Sequence, residues 1–303
     1  MKKTTIITPG KLILLGEHAV VYGYPCIVTT VNRYLTIIVS ENNRTNDEII
    51  TSELSGKEYI TGIINSFRNK YQKTEKLTVK ITSQLTGFGL GSSAALTIGL
   101  VKALNEFWGI NMVNEDIFNF SLLAVRKSYP LASGFDLAAC LYGGTVYYSG
   151  QTKKAEHIQT SEFPLLVVFT GNKVSTKDIV YKVKLLKEKN SNLVNNLFDD
   201  IGRIVKQSKD VLKRGDWVSL GKLMNRNQHD LVKLGVSTRK IDMIVGKSLE
   251  KGAYGAKLSG AGGGDCVLVL ISPETKNNII EVVNNLGGEI LDVKFGVEGA
   301  RIC

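Results

Sequence analysis

Residues 87–95 read GFGLGSSAA, and a long, largely apolar stretch follows them. Its apolar side chains recur with helical spacing, which predicts a helix over Ser92–Trp108. Glycines let a ligand approach the backbone, and the free N–H groups at the start of a helix attract anions. Together with the hydroxyls of Ser92 and Ser93, these features predict a phosphate-binding loop. The alternative is an ordinary glycine turn with a serine N-cap.

The spacing of these glycines excludes two common nucleotide-binding loops. A Walker A loop needs G-x-x-x-x-G-K-[ST], and a Rossmann loop needs G-x-G-x-x-G. Neither pattern occurs at residues 87–95, so the segment is neither a Walker A loop nor a Rossmann loop.

A second glycine-rich segment lies towards the C-terminus, where residues 255–264 read GAKLSGAGGG and five of them are glycine. Each glycine costs chain entropy on folding, so a purely structural turn rarely contains so many. The composition favours a loop that lies along a polyphosphate or a substrate. The apolar run Cys266–Ile271 that follows predicts a buried strand.

The N-terminal segment 8–23 reads TPGKLILLGEHAVVYG. It places Lys11 before a short apolar run, and Glu17 and His18 after it. That run predicts a buried strand with polar groups at its two ends. Taken alone, Lys11 is more simply interpreted as a solvated lysine, and His18 as a hydrogen-bonded histidine of the core.

Asp136 stands between a glycine turn and an apolar run in residues 132–144, which read ASGFDLAACLYGG. An isolated aspartate in such a place is most often a helix N-cap. A buried aspartate beside a lysine would instead be an ionised catalytic carboxylate. The local sequence leaves both interpretations open.

Segments rich in β-branched residues are mixed along the chain with segments of helical periodicity. Strands are predicted over 26–40 (one or two strands), 78–82, 145–148 and 163–169. Helices are predicted over 192–214, 216–233 and 237–252. This order favours an α+β fold over a doubly wound parallel sheet. A composition shift near residues 155–163 predicts two domains, 1–160 and 161–303.

The composition is that of a folded protein, since 43% of the 303 residues are hydrophobic and 22% are charged. No apolar run approaches the ~18 residues that a transmembrane helix needs, and the basic start lacks the apolar region of a signal peptide. We therefore expect a cytoplasmic protein without a membrane partner. The four cysteines are widely scattered, as is typical of buried or idle thiols in a reducing compartment.

The three histidines are equally dispersed, so the sequence shows no metal cluster of histidine and cysteine. The net charge of +10 could attract nucleic acid, an anionic membrane face or anionic small molecules. Because the lysines are spread over the whole chain, we expect no nucleic-acid partner.

Three motifs in the same order make the chain resemble the GHMP kinase superfamily. They are PGK at 9–11 with GEH at 16–18, GLGSSAA at 89–95, and KLSGAGGG at 257–264. The resemblance covers nearly the whole chain, and it is greatest to the mevalonate kinase family, through GEHAVVYG at 16–23 and LGKLMN at 220–225. It implies a two-domain α+β GHMP kinase fold with the active-site cleft between the domains.

The resemblance also implies an enzyme that uses ATP and Mg²⁺ to phosphorylate the mevalonate hydroxyl. Asp136 would accept or orient the proton of the acceptor hydroxyl, and Lys11 would lie beside Asp136 and the acceptor oxygen. Ser93, with Ser92 as the alternative, would be the protein ligand of Mg²⁺. The ATP-binding residues would be Gly87, Gly89, Leu90, Gly91, Ser92, Ser93 and Ala94. The acceptor would contact Glu17, His18, Ser133, Thr176, Gly260 and Ala261.

Two departures from the mevalonate kinase pattern bear on the substrate and the metal. The glutamate that usually lies eleven residues before the catalytic aspartate, as a magnesium ligand, is Val125 here, and YPLA at 129–132 replaces His-Gly-x-Pro. The segments SGFDLAA at 133–139 and GDC at 264–266 are more similar to phosphomevalonate kinases. The missing glutamate predicts a magnesium site with fewer protein ligands and more water.

Three alternatives to a mevalonate kinase remain at this point. A phosphomevalonate kinase would carry an extra cluster of lysine or arginine in the acceptor pocket. A non-catalytic GHMP relative would bind small molecules without turnover. An RNA-binding module would show strongly salt-dependent binding. The resemblance is also compatible with a homodimer.

Overall fold

The computed structural model describes residues 2–51, 56–172 and 174–303. A mixed sheet of seven strands forms the first half of the molecule. Its strands are β1 (Lys3–Leu15), β2 (Pro25–Glu41), β3 (Glu48–Thr51), β4 (Leu77–Ser83), β5 (Thr145–Ser149), β6 (Ala155–His157) and β11 (Arg301–Ile302). The order is β11-β1-β2-β4-β3, and β5 pairs with β2 and β6. The one or two strands predicted over 26–40 form a single long strand, β2.

Among the described residues, this half has four α-helices and a 3-10 turn at Ala19–Tyr22. The α-helices are α1 (Lys57–Tyr71), α2 (Ser92–Trp108), α3 (Asn114–Ser128) and α4 (Phe135–Tyr142). α2 packs on β1 and β2 and also contacts the other three helices. Most of its side chains are buried, because it lies between the sheet and its neighbouring helices. The helix predicted over Ser92–Trp108 is therefore confirmed as the central helix of this half.

An antiparallel sheet of four strands forms the second half, in the order β10 (Glu289–Leu291), β7 (Leu165–Phe169), β9 (Cys266–Leu270) and β8 (Gly255–Ser259). The helices of this half are α5 (Thr176–Lys189), α6 (Ser191–Arg214), α7 (Trp217–Lys233), α8 (Arg239–Glu250) and α9 (Lys276–Asn285). α7 and α8 pack on β8. Every residue of β9 is buried, which confirms the strand predicted after the second glycine-rich segment.

The two sheets with their helices confirm the predicted α+β class. The division at residue 160 stays a prediction. Strand β11, from the C-terminal segment, pairs antiparallel with β1, so this segment contributes to both sheets. Within the described residues, no helix is long and apolar enough to cross a bilayer.

Two aspartates lie close together where α6 packs on α7. Asp200 accepts hydrogen bonds from Arg226 at 3.0 Å and Arg203 at 3.2 Å. Asp230 is 4% exposed. Its burial, and next the negative charge of Asp200, raise the pKa of Asp230 to about 6. Between the ordinary value of 3.8 and about 6 the folded protein therefore holds a proton that the unfolded chain has released, and above that range the buried charge opposes folding.

Asp230→Asn is therefore expected to stabilise the protein at pH 8 by roughly 1–2 kcal/mol, because it removes a charge whose pKa is raised. The gain should shrink as the pH falls through 6 towards 4, where the wild-type carboxyl is already neutral. Thermal unfolding at pH 8 and pH 4.5 measures the gain in stability at each pH. Asp210→Asn, at an exposed position of α6, is the matched control and should change the stability at neither pH. An equal gain at both pH values would contradict the explanation.

Candidate active site

A cavity of about 400 Å³ lies where elements of the two halves meet. Its walls come from β1, α2, α3 and α4 on one side, and from α5 and the loop after β8 on the other. Every predicted site residue lines it except Gly87. Those on the wall are Lys11, Glu17, His18, Gly89, Leu90, Gly91, Ser92, Ser93, Ala94, Ser133, Asp136, Thr176, Gly260 and Ala261.

One part of the cavity wall is formed where β1 packs closely on the loop before α2. The backbone N–H of Lys11 donates to the carbonyl of Leu90 at 2.9 Å. Gly10 permits this approach, since a Cβ there would lie 2.7 Å from Leu85 Cδ2 and 3.0 Å from the Leu90 carbonyl oxygen. A break in the pairing register of β1 with β2 falls at the same point, between Pro9 and Gly10.

The side chain of Lys11 then runs across the glycine loop. A Cβ at Gly91 would lie 2.6 Å from Lys11 Cε, so the missing side chain leaves the space that the lysine occupies. The Nζ atom lies 5.6 Å from the centre of the Phe135 ring, at the first residue of α4. Lys11 is 8% exposed, so the solvated-lysine interpretation is wrong. Its amine lies between the phosphate loop and the helix that carries Asp136.

The loop Gly89–Ser93 presents its polar groups to the cavity. Gly91, with φ of 80°, is the N-cap of α2, and no side chain caps this helix. The alternative of a serine N-cap is therefore wrong. Within the described residues, the hydroxyls of Ser92 and Ser93 take part in no hydrogen bond, which leaves them available to a ligand. α4 and α5 also begin at this cavity, so three helix N-termini face the same space.

Asp136 lies in the first turn of α4, after an N-cap at Gly134 with φ of 92°. The N-cap interpretation of Asp136 is therefore wrong. Its Oδ1 accepts a hydrogen bond from the backbone N–H of Leu137 at 2.9 Å. A carboxylate in the first turn of a helix interacts favourably with the helix dipole.

Lys11 and Asp136 line the same cavity and form no ion pair with one another. Both lie close enough to the buried thiol of Cys140 to act on it electrostatically. Burial raises the pKa of that thiol, the charge of Asp136 adds to this, and the charge of Lys11 opposes it. Because the ammonium and the carboxylate are not paired with one another, both remain available to a ligand in the cavity.

His18 is neutral at ordinary pH, since burial lowers its pKa to about 4. Its Nε2 donates a hydrogen bond to the carbonyl of Ala261 at 2.8 Å, which fixes the Nε2–H tautomer. The predicted alternative of a hydrogen-bonded core histidine therefore describes its chemistry, although its side chain also lines the cavity.

Glu17 is not a free carboxylate, because its Oε1 accepts a hydrogen bond from Nζ of Lys257 in a buried ion pair. From the sequence, Lys257 is only one residue of a glycine-rich motif, and no role is predicted for it. Lys177 and Asp265 also line the cavity without having been predicted as site residues. The position of Lys257 within the third motif is the signal that could have found it.

The oxygen donors at the cavity could serve a magnesium ion that arrives with a nucleotide. Ser93 and Asp136 supply a hydroxyl and a carboxylate, which are ligand types that Mg²⁺ prefers. Val125 lines the same cavity and supplies no donor. Within the described parts of the chain, no group of three or more acidic, histidine or cysteine side chains could hold a metal by itself. The residues fit a hydrated ion bound mainly through phosphate oxygens.

Comparison with known proteins shows to which family this chain belongs. Residues 58–144 match the model of the GHMP kinases N terminal domain, and residues 208–289 match that of GHMP kinases C terminal. The chain belongs to the GHMP kinase family. The predicted resemblance and the two-domain GHMP kinase fold are thereby confirmed.

Several curated relatives of this GHMP kinase are mevalonate kinases. That of Thermococcus sibiricus is 32% identical, with 97% of this chain and 96% of the relative covered. That of Saccharolobus solfataricus is also 32% identical, with 88% and 90% covered. The crystal structure of L. major mevalonate kinase with R-mevalonate is 26% identical, with a TM-score of 0.80 and 98% and 97% coverage.

A phosphomevalonate kinase from Streptococcus pneumoniae shares the fold of this GHMP kinase with a TM-score of 0.84. It is 19% identical, and 96% of this chain and 99% of that chain are covered. At this identity the likeness shows the fold alone.

Proposed function

We propose that this GHMP kinase transfers the γ-phosphoryl group of ATP to the hydroxyl of mevalonate, giving phosphomevalonate. The observation that carries the proposal is the identity of about 30% with curated mevalonate kinases over nearly the full chain. The cavity adds independent support, since it brings a phosphate-type loop, a lysine and an aspartate to one place.

The phosphates of ATP would lie on the loop before α2. The N-terminus of α2 supplies N–H groups and a positive dipole end, and Ser92 and Ser93 supply hydroxyls. The predicted contacts of Gly89, Leu90, Gly91 and Ala94 with ATP are part of this proposal. Gly87 does not line the cavity, so its predicted contact with ATP has no support from the structure.

The acceptor hydroxyl would lie between Asp136 and Lys11. Asp136 is proposed to accept its proton as the oxygen attacks the γ-phosphorus, and Lys11 to stabilise the negative charge on the oxygens. Phosphoryl transfer depends mainly on positioning and charge stabilisation, which these groups supply. Ser133, Thr176, Gly260 and Ala261 complete the proposed wall around the acceptor.

Mg²⁺ is proposed to enter with ATP, with Ser93 as the protein ligand and Ser92 as the alternative. When bound, it would neutralise charge on the phosphate oxygens. Since Val125 replaces the usual glutamate, water would fill more of its coordination sphere.

Val125→Glu is expected to lower the Mg²⁺ concentration for half-maximal activity about tenfold, because it adds a carboxylate at the cavity. A magnesium titration of initial rates at saturating ATP measures this. Leu123→Glu on the same helix is the control, because Leu123 is 65% exposed and does not line the cavity. If neither variant changes the titration, the metal does not lie beside Val125.

Phosphomevalonate as the acceptor is disfavoured by the charges of the cavity. Within the described residues, the cationic side chains on its wall are those of Lys11 and Lys177, and no arginine is among them. Among the described residues of this wall there is thus no cluster of lysine and arginine of the kind expected for the phosphate of phosphomevalonate. A non-catalytic relative is disfavoured by the convergence of Lys11 and Asp136 on one cavity.

The deciding experiment is ATP consumption by the purified protein with mevalonate, phosphomevalonate, homoserine or galactose. Mevalonate is expected to give a kcat/KM at least about 100-fold above the others, since the polar groups of a site reject analogues that leave them unpaired. Preference for phosphomevalonate would overturn the proposed acceptor, and no turnover with any substrate would favour a binding protein. The cytoplasmic location and the homodimer predicted from the sequence stay predictions.

A further inference from the structure

A buried ion pair joins the two halves of the molecule beside the active-site cavity. Glu17, just after β1, and Lys257, in β8, are 240 residues apart in the chain. Their side chains are 1% and 0% exposed. Burial raises the pKa of Glu17 and lowers that of Lys257, and each charge opposes the shift of the other.

Two further contacts cross between the halves at the same place. The hydroxyl of Ser259 donates to the carbonyl of Ile13 at 2.8 Å. The His18 ring donates to the carbonyl of Ala261 at 2.8 Å. β1 and its following turn are thus tied to the start of the loop 260–264.

The other side of β8 is held by α7. The backbone N–H of Leu258 donates to Gln228 Oε1 at 2.9 Å, and that of Ala256 donates to Asn225 Oδ1 at 2.9 Å. The strand that leads into the glycine-rich loop is therefore fixed from both sides. The ion pair is the charged part of this connection.

A buried ion pair is a poor way to gain net stability, because the cost of removing two charges from water offsets their attraction. A pair of apolar side chains of similar size would be equally or more stable there. The pair therefore calls for a role other than stability. Its position suggests one, since Glu17 lines the cavity at one end and Lys257 lies three residues before Gly260, which lines it from the other half.

We propose that Glu17 and Lys257 are positioning residues that set the register between the first motif and the loop 260–264, so that both halves close one acceptor pocket. The inference rests on the proposed function and assigns Glu17 a different role from the substrate contact predicted for it. A direct contact remains the competing explanation, because Glu17 Oε2 is buried without a hydrogen-bond partner among the described residues.

The test compares Glu17→Gln, Lys257→Met and the double variant Glu17→Met/Lys257→Met. Breaking one partner leaves an uncompensated buried charge, so Lys257→Met should lower Tm by about 10 °C. The apolar double variant should recover most of this loss. The exposed pair Lys247–Glu250, changed to Met and Gln, is the matched control and should leave Tm and kinetics unchanged.

Steady-state kinetics are then measured at a temperature at which circular dichroism shows every variant to be folded. Each single variant should lose about 100-fold in kcat/KM for mevalonate, because small misplacements of a reacting group have effects of this size. The KM for ATP should change less than about threefold, since the pair touches the acceptor side. The double variant should recover kcat/KM to within about tenfold of wild type.

Two results would overturn the inference. Recovery of Tm without recovery of kcat/KM in the double variant would mean that Glu17 contacts the substrate directly. Wild-type kcat/KM in folded single variants would mean that the pair is only structural. If a single variant does not fold, the double variant decides by its kcat/KM. The activity of the wild-type protein with mevalonate tests the proposed function separately.

Discussion

Asp136→Asn is expected to lower kcat with mevalonate by about 10³-fold, within the range that a general base contributes, because the amide cannot accept the proton of the acceptor hydroxyl. The amide has nearly the same shape as the carboxylate, so the cavity should keep its form. The KM for ATP should stay within about threefold of wild type, since the phosphate loop is on α2 and not on α4. Initial rates with both substrates varied measure these constants.

Asp116→Asn is the matched control for Asp136→Asn. Asp116 also lies in the first turn of a helix, α3, but is exposed and does not line the cavity. Its loss removes the same favourable interaction with a helix dipole, worth about 0.3–1 kcal/mol, and should leave kcat unchanged. Turnover of the Asp136 variant within a few fold of wild type would remove Asp136 from the role of base.

Lys11→Met should produce the second large loss, lowering kcat by about 10²–10³-fold, as is typical when one preorganised charge-stabilising donor is removed. Methionine can follow the path of the lysine stem across Gly91, so the packing of β1 on the loop should be preserved. Because the amine lies between the loop and α4, a smaller rise in the KM for ATP is also expected.

Lys80→Met on β4 controls for the loss of a positive charge from the same sheet, since Lys80 is exposed and does not line the cavity. It should leave the kinetic constants unchanged. Unfolding of the Lys11 variant at a wild-type Tm would show that its loss of activity is not a loss of structure. A kcat near that of wild type would instead show that Lys11 does not stabilise charge on the transferred phosphoryl group.

The elements predicted most accurately are those whose signal lies in a short stretch of sequence. The helix Ser92–Trp108 was predicted with its observed bounds, because apolar periodicity continues between glycine at 91 and glycine at 109. The family resemblance, and not spacing alone, also predicted which residues meet at one cavity, with Gly87 as the exception.

What could not be predicted are contacts between distant parts of the chain. The pairing of β11 with β1 and the ion pair of Glu17 with Lys257 depend on how the two sheets are placed, and no local pattern encodes that placement. The two N-cap alternatives fail for a different, local reason. At both α2 and α4 a glycine with positive φ takes the cap position, so the adjacent serine and the nearby aspartate keep their side chains for the cavity.

The close packing of Lys11 over Gly91 also restricts how this enzyme could have diverged. A single methyl group on Gly91 would lie 2.6 Å from the lysine stem, so the loop cannot acquire a side chain without displacing the amine. While the lysine is in place, the glycine therefore cannot be replaced freely. Loss of the lysine would remove the steric clash but not the positive φ of Gly91 at the start of α2, so in descendants that no longer catalyse the reaction the glycine should persist longer than the lysine.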